Sequence, residues 1–298
     1  LEIGPGTGYN ANYLINCGIN KITLVDGNKS SIESIKKTLK KKNNLRYNLI
    51  YRDFYDLKIK KKFNFVICEN VISGVSKPEK FLKKLSSYVS EDGYLLINCS
   101  DSVSLFSEKI RGVIAYLLLN SYKLNTSNFK LKTKFLSKIF KTHLRSLGTN
   151  TRNIEDWVQD VLLYEFWWRK KKYFSLYKAV SVVKDKFSFY SSSPYCFTNY
   201  SWYKNTNFNL NNHILKEFYH IQQNFFDLRT TNSHFSRHKN NDLNYLINKA
   251  CECIYLLNAN NSSNLITVLI QLKKLFLNHE NNKLTVYSLD QVISILKE

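Results

Sequence analysis

The first 100 residues alternate between short apolar runs and amphipathic helical segments. After an opening strand that ends at Ile3, the strand-like runs are Lys21–Asp26, Tyr47–Tyr51, Phe63–Cys68 and Tyr94–Cys99. Helical periodicity lies between them, most clearly over Ser30–Lys42 and Pro78–Val89. Five apolar strands joined by helices predict βαβ units. The expected fold class is therefore α/β, with a Rossmann-like, doubly wound and mostly parallel sheet.

The pattern changes after Ser100, where helical periodicity continues without further strand–helix alternation. Helices are predicted over 103–119, 135–147, 154–168, 176–184, 212–227, 243–257 and 265–277. One run, 187–204, predicts a hairpin that would complete the sheet. We therefore expect a core over 1–100, a helical lid or acceptor region over 101–210, and a helical C-terminal region over 211–298.

The chain is strongly basic, with 44 Lys and Arg against 23 Asp and Glu and a formal net charge of +21. Such a charge raises the possibility of an RNA partner. The excess of positive charge is spread along the chain in proportion to length, since residues 1–100 carry 17 basic and 9 acidic side chains. The basic residues are mostly Lys. The charge is thus typical of an AT-rich coding sequence. One basic helix, Phe135–Leu147, predicts a packed lid helix, with contact to an anionic membrane as the alternative.

Several features indicate the compartment. The longest apolar run, Val113–Leu119, has seven residues, far fewer than the roughly 20 that cross a bilayer, so no transmembrane segment is predicted. The six Cys include no C-x-x-C pair, which favours a reducing, cytoplasmic location. Because the chain has no Met and opens inside a strand, we expect that an N-terminal part is missing.

A glycine-rich turn follows the first strand, with glycines at 4, 6 and 8. Glycine lets the backbone approach a ligand closely, and the helix that follows directs its N-terminus at that ligand. The turn lacks the Lys and the glycine spacing of a P-loop. It also departs from the G-x-G-x-x-G dinucleotide fingerprint, because the third glycine comes one residue early and Tyr9 occupies the fingerprint position.

The sequence Glu2-Ile3-Gly4-Pro5-Gly6-Thr7-Gly8 instead resembles motif I of the class I S-adenosylmethionine-dependent methyltransferases. The resemblance covers about residues 1–100 and includes acidic residues at the ends of later strands. It implies an S-adenosylmethionine site formed by eight residues, namely Glu2, Gly4, Gly6, Gly8, Asp26, Asp53, Phe54 and Glu69.

The resemblance also implies a role for individual side chains. Asp26 would accept hydrogen bonds from both ribose hydroxyls, and Asp53 would accept one from the adenine amino group. Phe54 would stack on the adenine ring. Glu69 and Asn70 match motif IV, which would place them near the transferred methyl group.

The methyl acceptor is the least determined part of this prediction. We expect an unidentified small or soluble acceptor, with an RNA or protein methyltransferase as one alternative and a non-catalytic module on a degenerate fold as the other. DNA base methylation is disfavoured because no proline follows Glu69-Asn70. No catalytic base and no metal site are identified. The candidate substrate-binding residues are Asn70, Tyr195, Tyr200, Trp202 and Tyr203. For the four aromatic residues, packing of a hairpin into the core is the favoured explanation and substrate binding the alternative.

Overall fold

The structure is a computed structural model that describes residues 1–19, 21–39, 46–146, 153–170, 173–193, 209–227, 236–257, 262–277 and 283–297. The chain divides into two compact units. Unit 1 consists of residues 1–100 and 174–215, and unit 2 of residues 101–173 and 216–298. The three functional segments expected from the sequence remain a prediction.

Unit 1 is built on a five-stranded sheet in which every neighbouring pair is parallel. Its strands are β1 (Glu2–Ile3), β2 (Lys21–Asp26), β3 (Arg46–Tyr51), β4 (Phe63–Cys68) and β5 (Val89–Ile97). The strand order is β3-β2-β1-β4-β5, so the direction of winding reverses between β1 and β4. In a doubly wound sheet, a ligand crevice opens outside the carboxyl ends of the two strands at such a reversal.

The described residues form the following α-helices, given in chain order. They are α1 (Tyr9–Asn16), α2 (Lys29–Leu39), α3 (Pro78–Ser86), α4 (Phe106–Ser121), α5 (Phe129–Ser146), α6 (Ile154–Trp157), α7 (Glu165–Trp168), α8 (Leu176–Val183), α9 (Leu210–Glu217), α10 (Gln222–Phe226), α11 (Arg237–Tyr255), α12 (Ser263–Phe276) and α13 (Lys283–Lys297). Short 3₁₀ turns cover Phe54–Asp56 and Ile72–Gly74, and a π-helix covers Val158–Leu163.

Two hydrophobic clusters cover the sheet of unit 1, as the predicted doubly wound fold requires. In β2, Leu24 packs with Ile35 of α2 in one cluster, while the adjacent Val25 belongs to the other. That second cluster includes Phe81 of α3 and Ala179 of α8. Because successive strand residues point to opposite faces, the β2 alternation confirms that apolar material covers both sides of the sheet.

Unit 2 is helical in the residues that the structure describes. One cluster joins α4 with α11, α12 and α13, and a second joins α4 with α5, α6 and the π-helix. Helix α4 contributes to both clusters, which explains why Val113 and Ala115 are both buried. Within the described part of the chain, no helix combines the length and apolar character needed to span a membrane.

The structure departs from the sequence-based boundaries at several points. The single helix predicted over 212–227 is divided into α9 and α10, and α5 begins at Phe129 instead of residue 135. Strand β5 begins at Val89, and a register shift between Phe63 and Phe65 accommodates Gly93 within the strand, where a turn was expected. The single helix predicted over 154–168 is divided by the π-helix. In the predicted hairpin, residues 187–193 form no strand, and residues 194–204 lie outside the described residues.

Candidate active site

The glycine turn after β1 adopts left-handed backbone conformations at all three of its glycines. Their φ angles are +70° at Gly4, +56° at Gly6 and +81° at Gly8. The Gly4 N–H donates to the Val25 carbonyl oxygen at 2.9 Å, which holds the turn against β2. No atom lies within 4 Å of the position that a Cβ on Gly6 would occupy. The turn therefore presents bare backbone to open space at the end of β1.

Asp26, the last residue of β2, connects this turn to the loop that follows β2. Its Oδ2 accepts from the Gly6 N–H at 3.3 Å, and its Oδ1 accepts from the Asn28 N–H at 2.8 Å. Each carboxylate oxygen has two lone pairs, so both oxygens can accept a further hydrogen bond. Asp26 thus fixes the turn and keeps capacity for two ligand hydroxyl groups.

Asp53 lies at the adjacent strand end. The Arg52 N–H donates to the Asp26 carbonyl oxygen at 3.0 Å, so β2 and β3 end side by side. Asp53 Oδ1 accepts from the Tyr55 N–H at 2.7 Å and caps the short 3₁₀ turn. The Asp53 side chain is exposed, so its carboxylate is open to a ligand at this edge.

Phe54 has a different environment from the one expected for an adenine-stacking residue. The 3₁₀ turn directs its ring into the core, where it is 8% exposed and packs on Phe81 with 4.2 Å between ring centroids. The Lys84 ammonium lies 5.3 Å from the same ring. Because these contacts occupy the ring, we leave Phe54 out of the site proposed below.

Two carboxyl groups, the buried Glu2 and the half-buried Glu69, lie where β1 and β4 end. Glu2 is 3% exposed, and its Oε2 is buried with no hydrogen-bond partner among the described residues. The side chain of Asn10, on α1, donates to Glu69 Oε2 at 2.7 Å and lies near enough to Glu2 to lower the pKa of that carboxyl. Asn10 therefore links β1, α1 and the residue after β4. Asn10 could not be predicted as a site residue from the sequence, because it occupies no recognised motif position.

Burial raises the pKa of Glu2 to about 7, the hydrogen bond from Asn10 lowers it, and the charge of Glu69 raises it. We expect the Glu2 carboxyl to contribute a fall in stability of about 2 kcal/mol between pH 5.5 and 8, because the folded state holds a proton that the unfolded state, with its ordinary pKa, has released. Burial lowers the pKa of the Leu1 ammonium to about 6, which contributes in the opposite direction, so the Glu2 contribution is the difference in pH dependence between the wild type and Glu2→Gln. Glu2→Gln should remove this fall. Urea unfolding at both pH values measures it, with the exposed Glu91→Gln as the control. An unchanged pH dependence in Glu2→Gln would contradict the assignment.

Asn70 follows Glu69 with a φ of +57°, a conformation that Asn tolerates better than most residues. Its N–H donates to the side-chain oxygen of Asn98 at 2.6 Å, and the Asn98 amide donates back to the Asn70 side chain. Asn98 immediately follows β5, so the reciprocal pair joins the ends of β4 and β5. The two hydrogen bonds hold the Asn70 backbone in this conformation.

The structure thus brings most of the predicted site residues together along the carboxyl edge of the sheet. Glu2 and the three glycines lie at β1, Asp26 at β2, Asp53 at β3, and Glu69 with Asn70 at β4. Asn10 and Asn98 are additions from the structure. The four aromatic residues proposed for substrate binding, Tyr195, Tyr200, Trp202 and Tyr203, lie outside the described residues.

A protein-family model described as a methyltransferase domain matches residues 1–97. Residues 1–97 are a class I methyltransferase domain. The match begins at β1 and ends with β5, so it contains every element that forms the site.

Curated relatives match between a third and just over half of the chain. A protein named ubiquinone biosynthesis O-methyltransferase from Rickettsia canadensis is 27% identical over 169 residues, which are 56% of this chain and 68% of the relative. A protein of the same name from Rickettsia typhi is 31% identical over 98 residues, 33% of this chain and 39% of the relative. The chain thus spans only two fifths of the second relative.

Two solved structures are also similar. PKMT2 from Rickettsia typhi, in complex with AdoHcy, has a TM-score of 0.48 at 20% identity, covering 73% of this chain and 46% of that one. An S-adenosylmethionine-dependent methyltransferase from Clostridium acetobutylicum has a TM-score of 0.31 at 19% identity, covering 36% and 44%. Both TM-scores are below 0.5, so these likenesses carry no argument about the methyltransferase domain.

Proposed function

We propose that the protein transfers a methyl group from S-adenosylmethionine to a small-molecule acceptor. The observation that carries the proposal is the arrangement of Asp26, whose carboxylate holds the open glycine turn in place and can still accept two hydrogen bonds. The methyltransferase domain at residues 1–97 supports it. When bound, S-adenosylmethionine supplies an electrophilic methyl group on a sulfonium centre.

The residues at the sheet edge fit this cofactor. The open space beside Gly6 lets backbone approach a ligand, where a Cβ would intervene. The Asp26 carboxylate suits a pair of ribose hydroxyls, and the exposed Asp53 carboxylate suits the adenine amino group. The Glu69 carboxylate adds negative charge where β4 ends, which favours a cationic ligand there. Glu2, whose Oε2 is unpartnered among the described residues and whose pKa is raised to about 7, adds to this charge when it is ionised.

The domain's own task in such a reaction is alignment. Methyl transfer is an in-line displacement, so holding the nucleophile and the methyl carbon at near-attack distance accounts for much of the acceleration. We assign this positioning to Asn70, whose conformation is fixed by Asn98. The name of the Rickettsia relatives, ubiquinone biosynthesis O-methyltransferase, favours a hydroxyl oxygen as the acceptor atom. No residue is assigned as a general base.

The first test is calorimetric titration of the protein with S-adenosylhomocysteine. We expect wild-type binding, and a loss of affinity of about 10- to 100-fold in Asp26→Ala from the missing hydrogen bonds to the ligand. Asp26→Asn keeps one acceptor oxygen and should lose less affinity than Asp26→Ala does. Asp92→Ala, an exposed acid on β5, is the matched control and should bind as the wild type does.

Thermal unfolding of each variant separates a lost ligand contact from a lost fold. A folded Asp26→Ala that binds with wild-type affinity would contradict the assignment of the ribose site. Absence of binding by the wild type would overturn the proposal and leave a non-catalytic module on this fold. Transfer of the methyl group to RNA or to a protein, with no small molecule accepting it, would show that the acceptor is a macromolecule and would contradict a small-molecule acceptor.

A further inference from the structure

Helix α5 of unit 2 carries two parallel rows of side chains on its outer side. Five exposed cations form the first row, namely Lys130, Lys134, Lys138, Lys141 and Arg145. Residues Leu131, Phe135 and Ile139 form the second row at a spacing of four, so they are neighbours on the helix surface. Leu131 is 46% and Ile139 is 43% exposed. We call these eight residues the basic face of α5.

The opposite side of α5 anchors the helix in unit 2. Leu136, Phe140 and Leu144 are buried at a spacing of four and pack in the cluster that includes Trp157 and Leu162. Residues at this spacing lie on one stripe of a helix. The inward stripe is therefore filled by the unit's own core, and the two outer rows are held at the surface in a fixed orientation.

The charge on α5 is unusual even for this basic chain. Its 18 residues include six Lys and Arg and no Asp or Glu, whereas the whole chain has nearly two basic residues for each acidic one. Lysines on α2 and α3 share their helices with Glu33 and Glu79. Among the described residues, none of the five cations in the first row forms an ion pair with a carboxylate.

We propose that the basic face of α5 binds the surface of an anionic lipid bilayer. Cations on flexible stems attract acidic headgroups, and their aliphatic stems can lie along the apolar boundary. The Leu131–Ile139 row beside them provides side chains that enter the headgroup region, as amphipathic interfacial helices do. This inference rests on unit 2 alone and is independent of the proposed methyl transfer.

The apolar row favours a membrane over a nucleic acid. Single-stranded nucleic acids stack their bases on aromatic rings, and the exposed members of this row, Leu131 and Ile139, are aliphatic. Phe135, the aromatic member, packs against Tyr122 at 5.1 Å between ring centroids and against the unit's core. An aliphatic row bordered by lysines matches the chemistry of a lipid headgroup layer, in which charge and hydrocarbon lie a few ångströms apart.

The test is flotation of the full chain with vesicles of phosphatidylcholine alone and of phosphatidylcholine with 30% phosphatidylglycerol. We expect binding to the anionic vesicles only, weakened when salt is raised from 0.1 to 0.5 M. Lys134→Gln, Lys138→Gln and Lys141→Gln combined should lower the partition coefficient about 100-fold, at roughly fivefold per charge. The matched control is the triple Lys249→Gln, Lys274→Gln, Lys297→Gln, which removes the same charge from exposed positions elsewhere in unit 2 and should bind almost as the wild type does.

A second pair of variants tests the apolar row. Leu131→Ser with Ile139→Ser should lower partition about tenfold by removing apolar area from the interface, while Leu284→Ser with Ile295→Ser, which removes comparably exposed side chains from α13, should not. Equal loss in test and control triples would overturn the proposal, as would equal binding to neutral and anionic vesicles. Binding of a mixed-sequence single-stranded RNA that is lost in the α5 triple, with no vesicle binding, would assign the face to nucleic acid instead.

Discussion

Replacing Lys109 with methionine is expected to destabilise the protein by about 4 kcal/mol, because one buried and one partly buried carbonyl group would lose their charged donor. The Lys109 side chain is fully buried in unit 2, and its ammonium donates to the carbonyl oxygens of Trp168 and Lys170, each at 2.7 Å. Trp168 is the last residue of α7, so the ammonium caps carbonyl groups that the helix cannot pair internally.

The surroundings of Lys109 show why a methionine cannot replace it. Burial lowers the pKa of the ammonium, and the interaction with Cys251 raises it. The Tyr173 ring lies 5.0 Å from Lys109 Nζ and adds a cation–π contact. Methionine fills a similar volume without a donor, so the loss is one of hydrogen bonding and charge, while the packing is largely kept.

Urea unfolding followed by far-ultraviolet circular dichroism measures the change. The matched control is Lys249→Met, which alters an exposed lysine of α11 in the same unit and is expected to change stability by less than about 0.5 kcal/mol. A Lys109→Met protein within 1 kcal/mol of the wild type would show that water or a neighbouring group replaces the ammonium at these carbonyls.

The sequence predicted the sheet well because each strand is an apolar run bounded by a turn or a helix signal. It predicted unit 2 less well, since helix ends there depend on contacts between distant residues. The helix expected over 154–168 changes to a π-helix at Val158, and the Trp168 indole N–H donates to the Leu162 carbonyl oxygen at 3.0 Å. Helix α13 was missed, although Leu289, Ile293 and Leu296 have helical spacing. Its β-branched residues weaken that signal.

The acidic site residues could be predicted because they follow strands, and the carboxyl ends of parallel strands lie at the same edge of a sheet. Side-chain bridges such as Asn10 between Glu2 and Glu69 could not, since they depend on how α1 packs. Asn98 was also not predicted, because the predicted strand ran to Cys99, whereas β5 ends at Ile97 and leaves Asn98 directly after it. The burial of Lys109 had no signal in the sequence, because a lysine in an amphipathic helix is normally solvated.

Gly4→Ala is expected to destabilise the protein by about 3 kcal/mol and to abolish S-adenosylhomocysteine binding. A Cβ at Gly4 would lie 2.3 Å from Val71 Cγ2, far inside van der Waals contact, and the φ of +70° is unfavourable for alanine. Overpacking of this kind costs about 1–3 kcal/mol, and the left-handed conformation adds about 1 kcal/mol. The turn must then move away from β4, which displaces the Gly6 N–H from Asp26.

Gly6→Ala separates the effects of strain and ligand space. Its φ of +56° carries the same backbone penalty, but its Cβ meets no protein atom within 4 Å. We expect a stability loss of only about 1 kcal/mol. If the cofactor occupies the open space beside Gly6, the affinity for S-adenosylhomocysteine should fall at least tenfold. Gly4→Ala combined with Val71→Ala should recover the packing part of the Gly4→Ala loss, because the clashing methyl group is gone. Wild-type affinity in a folded Gly6→Ala would show that the ligand does not approach the turn there, and the site would have to be placed elsewhere along the sheet edge.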